Sequence, residues 1–432
     1  MDQKLLEEVT NKVYHMIHSY SFLLDNRTSP QWFSRRRKLP FPYVVVLILN
    51  LLNRTNQMEL TDFFRIILGL PKGGKIPQIT VKAFTMARDK IKPWAFLQIF
   101  HATRDIILRQ DLKLFHGYQL IAIDATKLRM EKQKELWEYF GTGSGTEDPV
   151  MGRASTAFDV LNRIVLDAVL SPFFTGERRQ AELIIRHLSE LKTGSRKLLL
   201  FDRGYPSYRL MAQMEKAGMS YLMRIPRSFI HGLKSMKYDT KMMHFKYEKT
   251  SYKFLLIRIH LMLSNQKPEY EYLITNVKES LSLEEWKKLY ALRWGTETNY
   301  HIFKNEIKIE NYSGKTVRSV YQDFFANIFI LNYLFCFTDI SDEIIRKDIE
   351  EQRKKGKPIK HDYKTNLNKS IGTLKDEMVT LFLSKSLSVK EKIIKYVIGT
   401  IQKFRIPILS NRKADRSASH TVPYTMNMRY ST

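Results

Sequence analysis

KLLLFDRGYP, residues 197–206, is an apolar run that stops at a carboxylate and turns at a glycine. Lys197 to Phe201 reads as a buried strand, Asp202 stands at its C-terminal end, and Arg203-Gly204-Tyr205 leads away. The carboxyl ends of strands are where open α/β sheets place ligand-binding groups. YQLIAIDATKL, residues 118–128, repeats the pattern: Leu120-Ile121-Ala122-Ile123 is followed by Asp124. Taken singly, either aspartate reads as a helix cap or turn residue. Paired on two apolar strands, they become candidates for chemistry.

Around these strands the strand-like period continues. STAFDVLN (155–162) and RIVLDAVLSP (163–172) read as strands joined by a tight turn at Asn162-Arg163. GERRQAELIIRHLSELKTG (176–194) reads as a helix ending at Gly194. YPSYRLMAQMEKAG (205–218) follows as a helix and YLMRIP (221–226) as a strand. Three strands, helix, strand, helix, strand fits an α/β, RNase H-like core with a mixed sheet, its first strands joined by hairpins and the later ones by crossover helices. Residues 227–275 are basic and strand-like, a β-rich insertion, and the helical period returns from SLSLEEWKKLYALRW (280–294) through Phe337. The expected division is a helical N-terminal DNA-binding region over 1–115, the core over 116–226, the insertion over 227–278, the rest of the core over 279–338, and a basic helical C-terminal region with a tail over 339–432. Gly141 to Gly145 lacks the Lys-Ser/Thr ending of a phosphate-binding loop and reads as an ordinary loop. Lys347 to Lys369 reads as a solvated helix or linker, VKEKIIKYVIGTIQKF (389–404) as an amphipathic helix, and the remainder as a disordered polar tail.

The charge of the chain narrows its partners. Lys and Arg total 71 against 44 Asp and Glu, a formal charge of +27. Such an excess attracts a polyanion, nucleic acid first among them, although a basic enzyme without a polyanionic partner carries the same sign. The single cysteine, Cys336, excludes an internal disulfide and a multi-thiolate zinc site, and its apolar neighbours predict an inert, buried thiol. MDQKLLEEVTNK at the start has no secretory character. Tyr43–Leu52 is short for a membrane span and Phe324–Phe337 is interrupted by Asn327 and Asn332, so both read as buried helices. No membrane association and a location in the prokaryotic cytoplasm, at the nucleoid, are expected.

In the N-terminal region, QMELTDFFRIILGL and ITVKAFTMARDKI read as two helices joined by PKGGKIPQ. On the second, Ala83, Phe84, Ala87 and Ile91 form an apolar face, Thr80 is the expected N-cap, and Lys82 and Arg88 point elsewhere. The pair reads either as a helix-turn-helix offering Lys82 and Arg88 to DNA or as a helical bundle with a solvated basic face. The run Arg35-Arg36-Arg37-Lys38 reads equally as a phosphate grip or an exposed linker.

The carboxylates point to one chemistry. Cutting and joining phosphodiesters requires neutralising the attacked phosphate and activating water or a 3′-hydroxyl, which two Mg²⁺ ions about 4 Å apart supply. Such ions take oxygen ligands, so several carboxylates must converge from separate elements. A third candidate lies on the stretch Leu289–Ile307. At about 100° per residue, Tyr290, Arg293, Glu297 and Lys304 fall within roughly 60° of arc on one side of a continuous helix. An Arg–Glu pair four residues apart is common on helix surfaces and by itself asks for no function.

Asp124 in IDATKL, Asp202 in FDRGYP and the spacing Tyr290-x2-Arg293-x3-Glu297-x6-Lys304 resemble the DDE transposases of insertion-sequence family four. The resemblance covers roughly residues 118–335, and the long interval from Asp202 to Glu297 leaves room for the strand-rich insertion of that family. It implies that Asp124, Asp202 and Glu297 are the catalytic, metal-binding triad for two Mg²⁺ ions, for which Mn²⁺ can substitute. It also implies that Tyr290, Arg293 and Lys304 contact the DNA backbone, with Arg203, Lys82 and Arg88 as further DNA contacts. The partners expected are double-stranded DNA, as terminal inverted repeats and target, and a second copy of the chain in a homodimer. The alternatives are an RNase H-like nuclease without strand transfer and a non-catalytic repressor. Some members stack a flipped base on a tryptophan in the insertion, but 227–275 contains none. Trp286 and Trp294 stand near the signature, and Trp294 reads as a core residue as readily as a stacking one.

Overall fold

The computed structural model describes residues 1–35, 37–50, 54–71, 74–143, 149–233, 236–262 and 268–409. Parts of the Gly141–Gly145 loop, the PKGGKIPQ connection and the Arg35–Lys38 run lie outside the described residues, as does the tail from 410. Two compact units result: Leu112–His301 forms one, and Met1–Asp111 with Ile302–Thr432 forms the other.

The N-terminal segment is helical, with α1 (Gln3–His18), α2 (Tyr20–Asn26), α3 (Phe41–Leu49), α4 (Asn56–Ile67), α5 (Val81–Arg88) and α6 (Trp94–Ile107). The Thr80 hydroxyl accepts from Ala83 N at 3.1 Å and caps α5 as the sequence indicates.

The unit Leu112–His301 holds the sheet. Its elements are β1 (Tyr118–Met130), α7 (Lys134–Phe140), β2 (Val150–Asp159), β3 (Ile164–Pro172), α8 (Glu177–Glu190), β4 (Arg196–Phe201), α9 (Tyr208–Lys216), β5 (Ser220–Ile225), β6 (Thr240–Tyr247), β7 (Thr250–Met262), β8 (Pro268–Thr275), α10 (Leu283–Ala291), a 3₁₀ turn (Leu292–Trp294) and α11 (Gly295–His301). The strands form a single sheet of eight in the order β3-β2-β1-β4-β5-β8-β7-β6. β1, β2 and β3 pair antiparallel, while β1–β4 and β4–β5 pair parallel. This is the mixed α/β sheet expected from the sequence. The β-rich insertion is a continuation of that sheet, because β8 pairs antiparallel with β5 and β7 with β8.

Local chemistry explains several joints. The β2–β3 turn has Arg163 in the left-handed region at φ 55°, and buried Asp159 holds it by accepting from Leu161 N and Asn162 N. α8 stops at Glu190, before the predicted Gly194. α9 is capped by Ser207, whose hydroxyl accepts from Leu210 N. α10 opens with a capping box between Ser282 and Glu285. Trp286, Leu289 and Tyr290, spaced for one helical face, pack with Leu120, Ala122, Leu198 and Leu200. Each buried side chain of that size contributes about 2 kcal/mol, enough to fix α10 on one face of the sheet.

The other unit continues through a π-helical turn (Ile302–Glu306), α12 (Val317–Lys354), β9 (Asp362–Thr365), α13 (Leu367–Leu383), α14 (Leu387–Lys403) and β10 (Arg405–Ile408). α12 runs unbroken through the division expected at 338/339, because its apolar stretch is a core element packed on α3, α6, α13 and α14. Lys347 to Lys354 extends that helix, and β9 pairs with β10. An 18-residue run within α12 is apolar enough to cross a membrane by length and composition. That run is 89% buried inside the protein. Cys336 is buried within α12, and burial pushes its thiol up.

Candidate functional site

Register brings the two aspartates together. Ala122 on β1 pairs with Leu200 on β4 in parallel. Asp124 lies two residues beyond Ala122 and Asp202 two beyond Leu200, so a strand period of two puts both on the face that receives α10. The chain leaving α10 then supplies what meets them. Tyr290 Oη donates to Asp202 Oδ1 at 3.2 Å. Arg293 Nη2 donates to Glu297 Oε1 at 3.0 Å, and its Nη1 lies 4.0 Å from Asp124 Oδ2.

The continuous helix expected over Leu289–Ile307 is corrected: a 3₁₀ turn separates α10 from α11, and Lys304 sits in the π-helical turn. The Arg293 side chain is only 5% exposed, and Tyr290 is buried as well. Neither presents a group to solvent as a DNA backbone contact would. Trp294 takes the outward position at 43% exposure, while Trp286 is buried under α10, so Trp294 is not a core residue. The Arg293 guanidinium also lies 5.3 Å from the Trp294 ring centroid.

The electrostatics follow from this crowding. Burial pushes the Asp124 carboxyl up to about 6, with the negative charges of Asp202 and Glu177 adding to it. The Ala125 amide, donating at 2.9 Å, and the Arg293 guanidinium act in the opposite sense. Burial raises the Tyr290 hydroxyl and Asp202 raises it further. For Arg293 burial works against the charge, but Tyr290, the bond to Glu297 and the two aspartates outweigh it and hold the guanidinium above its ordinary value.

Three neighbours escaped the reading of the sequence. Tyr300 Oη donates to the Asp124 carbonyl at 2.5 Å, and Thr156, which pairs with Asp124 across β1–β2, contacts the same hydroxyl at 3.1 Å. Glu177 opens α8 and is bonded to Arg153. Tyr300 could have been found, since it follows Glu297 by three residues and so shares its helix face. Nothing in the sequence marks Glu177.

Of the remaining predicted DNA contacts, Arg203 alone lies in the unit of the carboxylates, directly after Asp202. Arg203 is exposed after β4. Lys82, Arg88 and Lys304 belong to the other unit. Lys82 is exposed on α5. Arg88 is not available to DNA: it is 1% exposed, ion-paired with Asp323 at 2.8 Å and bonded to Gln322 at 2.9 Å. α5 turns Arg88 inward while Ala83, expected on the apolar face, is exposed.

The donor set suits a hard divalent cation, since Asp124, Asp202 and Glu297 supply only carboxylate oxygens. Among the described residues, however, no three such groups stand close enough together to hold a metal ion, and Glu297 accepts from Arg293 instead. The guanidinium is the positive charge balancing the carboxylates in this arrangement. Arg293 Nε is buried beside the carboxylates with no hydrogen-bond partner, an unsatisfied donor at the site.

The chain is similar to known proteins. The chain is 26% identical over 196 residues to a protein of Escherichia coli (strain K12) named "Putative transposase InsZ", an alignment covering 43% of this chain and 60% of that protein. The chain therefore matches less than two thirds of that relative's length. A cryo-EM structure of a piggyBac transposase synaptic complex with hairpin DNA aligns at 12% identity with a TM-score of 0.46, covering 94% of this chain and 87% of that one. The profile of the transposase DDE domain matches residues 115–333, which include both aspartates, Glu297 and all of α10 and α11. With half of its length so matched, the chain belongs to the transposase DDE domain family.

Proposed function

We propose that this chain is an insertion-sequence transposase of the family-four type, cutting the ends of its element and joining them to target DNA. The observation carrying this reading is the shared register of Asp124 and Asp202 on adjacent parallel strands, with Tyr290 and Arg293 drawing the Glu297 helix onto the same face. Asp124, Asp202 and Glu297 are the residues that would hold divalent metal, Mg²⁺ or Mn²⁺. Two bound ions would neutralise the attacked phosphate and lower the proton affinity of the attacking oxygen.

The chain's own residues do the rest. Tyr290 orients Asp202, Tyr300 anchors the β1 backbone at Asp124, and Arg293 keeps Glu297 beside the aspartates until the ligands regroup. A water oxygen bonds to phosphorus at the element's end while the bond to the 3′-oxygen breaks, and that oxygen leaves with a proton. The freed 3′-hydroxyl then attacks a target phosphodiester in line, exchanging one ester for another. Arg203, Lys82 and Lys304 are proposed as DNA contacts, with 1–115 as the principal DNA-binding region and a homodimer holding two ends. The +27 charge supports a polyanionic substrate.

The test is single replacement of Asp124, Asp202 and Glu297 by alanine, with Mg²⁺-dependent nicking of end DNA as the readout. Each variant is expected to lose activity by about a thousandfold, an estimate in the range of removing one essential stabilising group. Retained nicking by all three would end the proposal. Nicking by the unaltered chain without joined products would replace it by the nuclease reading.

A further inference from the structure

We infer that a groove within the first 111 residues binds an unpaired stretch of DNA strand, a role distinct from gripping duplex. The groove encloses about 610 Å³ between residues 31–35 and 37–39 on one side and α5 on the other. Its floor is apolar, formed by buried Leu39, Ile79 and Ala87. Its rim carries Arg35, Arg37, Lys38 and Lys90, and no carboxylate is present among the described residues that line it. One wall is the Trp32 ring, half-buried, with Lys90 Nζ 4.6 Å from its centroid. The other includes Met86, 57% exposed and unusually wet for its type.

Each feature constrains the occupant. A rim of cations without a counter-charge asks for an anion, and successive phosphates provide one at every step. An apolar floor beside an indole asks for a flat, weakly polar body, and a nucleobase lifted out of its helix presents such a face. Aromatic platforms inside a cationic groove are how proteins hold single strands without reading sequence. A duplex would engage the rim alone, because its bases are stacked inward and the floor would stay wet. An acidic peptide would satisfy the charges but leave the apolar floor and Met86 uncovered.

The groove is held open by its own backbone. Phe33 sits in the left-handed region at φ 60°, a conformation costly for an aromatic residue. Its ring packs edge-on against Phe41 at 5.5 Å, and Arg27 Nη1 donates to the Trp32 carbonyl at 3.3 Å. These contacts fix the turn that projects Trp32 on one side and Arg35 on the other. DNA cutting exposes unpaired strand at a break, so this site deepens the transposase reading and rests on it for its biological role, though its binding does not depend on catalysis.

The experiment measures binding of the full-length chain to a fluorescent single-stranded DNA oligonucleotide and to the blunt duplex of the same sequence. Trp32→Ala is expected to weaken single-strand binding about tenfold and to leave the duplex unchanged within about twofold. Met86→Glu, at an exposed position that tolerates polarity, should produce the same selective loss if Trp32→Ala fails to fold. Arg35→Ala/Arg37→Ala/Lys38→Ala should weaken single-strand binding and reduce its log–log salt slope by about 2. Equal losses on both DNA forms would make the groove a duplex contact and overturn the proposal. So would unchanged single-strand binding, or displacement of the oligonucleotide by polyglutamate at equal charge concentration. An RNA strand bound more tightly than the DNA strand would overturn the choice of DNA. Because the Glu297→Ala variant keeps this groove, its unaltered single-strand binding separates failure here from failure of the catalytic reading.

Discussion

Arg88 and Arg293, one in each unit, are each buried against a carboxylate, and they are finished to different standards. Arg88 has Asp323 at 2.8 Å, Gln322 at 2.9 Å and the Ser319 carbonyl at 3.2 Å, with Ser313 bonded as well. Arg293 has one direct bond, to Glu297, and a second carboxylate at 4.0 Å, with its Nε left without a partner. A fully bonded buried ion pair holds elements in place. A partly bonded one beside a crowd of carboxylates is a balance that another cation can take over. Burial alone therefore does not distinguish a strut from a working group. Completeness of bonding does.

This contrast can be broken most forcefully at the arginines themselves. Arg88→Met leaves Asp323 buried without its cation and is expected to destabilise the chain by about 3–5 kcal/mol in urea unfolding. Arg293→Met should cost about 1 kcal/mol, since Glu297 is 44% exposed and can turn to water. Equal costs would erase the distinction.

A smaller effect is expected at Asp124. Its carboxyl is raised by burial to about 6, so the folded chain binds its proton more tightly than the unfolded chain does. Stability from this group is complete below the ordinary carboxylate range and falls as pH rises to about 6, then stays level. Asp124→Asn should remove that penalty, gaining on the order of 3 kcal/mol at pH 7.5 and nothing near pH 3.5 while abolishing DNA cutting. A variant no more stable than the parent at pH 7.5 would show that the carboxylate is not strained by burial.

Tyr290→Phe is the finest probe. It deletes a 3.2 Å bond to Asp202 at nearly constant volume, so stability should change by about 1 kcal/mol or less. End nicking should fall by about tenfold, because Asp202 loses its orientation. A larger loss of stability than of rate would make Tyr290 a packing residue.

The strands that carry Asp124 and Asp202 were legible because apolar runs ending in acid leave a local trace. So were the hairpin at Asn162-Arg163 and the crossover helices. The Glu297 helix was legible as a pattern and misread as a shape, since the 3₁₀ break at Leu292–Trp294 carries no proline or glycine before Gly295 to announce it. Arg88 misled for a related reason. Its partners Ser313, Gln322 and Asp323 lie more than two hundred residues away, and helical periodicity cannot see across that distance. Glu177 was hidden likewise, because only the pairing of β1 with its neighbours brings α8 to Asp124.

The placement of β8 against β5 has a practical corollary for anyone trimming this protein. The strand-rich segment cannot be lifted out as a detachable module, for its removal would bare the hydrogen-bonding flank of β5 and invite aggregation. The far margin, β6, is different: Lys241 and Lys246 are exposed along it, charges that discourage stray pairing. Foreign sequence is better grafted beyond that margin than cut from behind it.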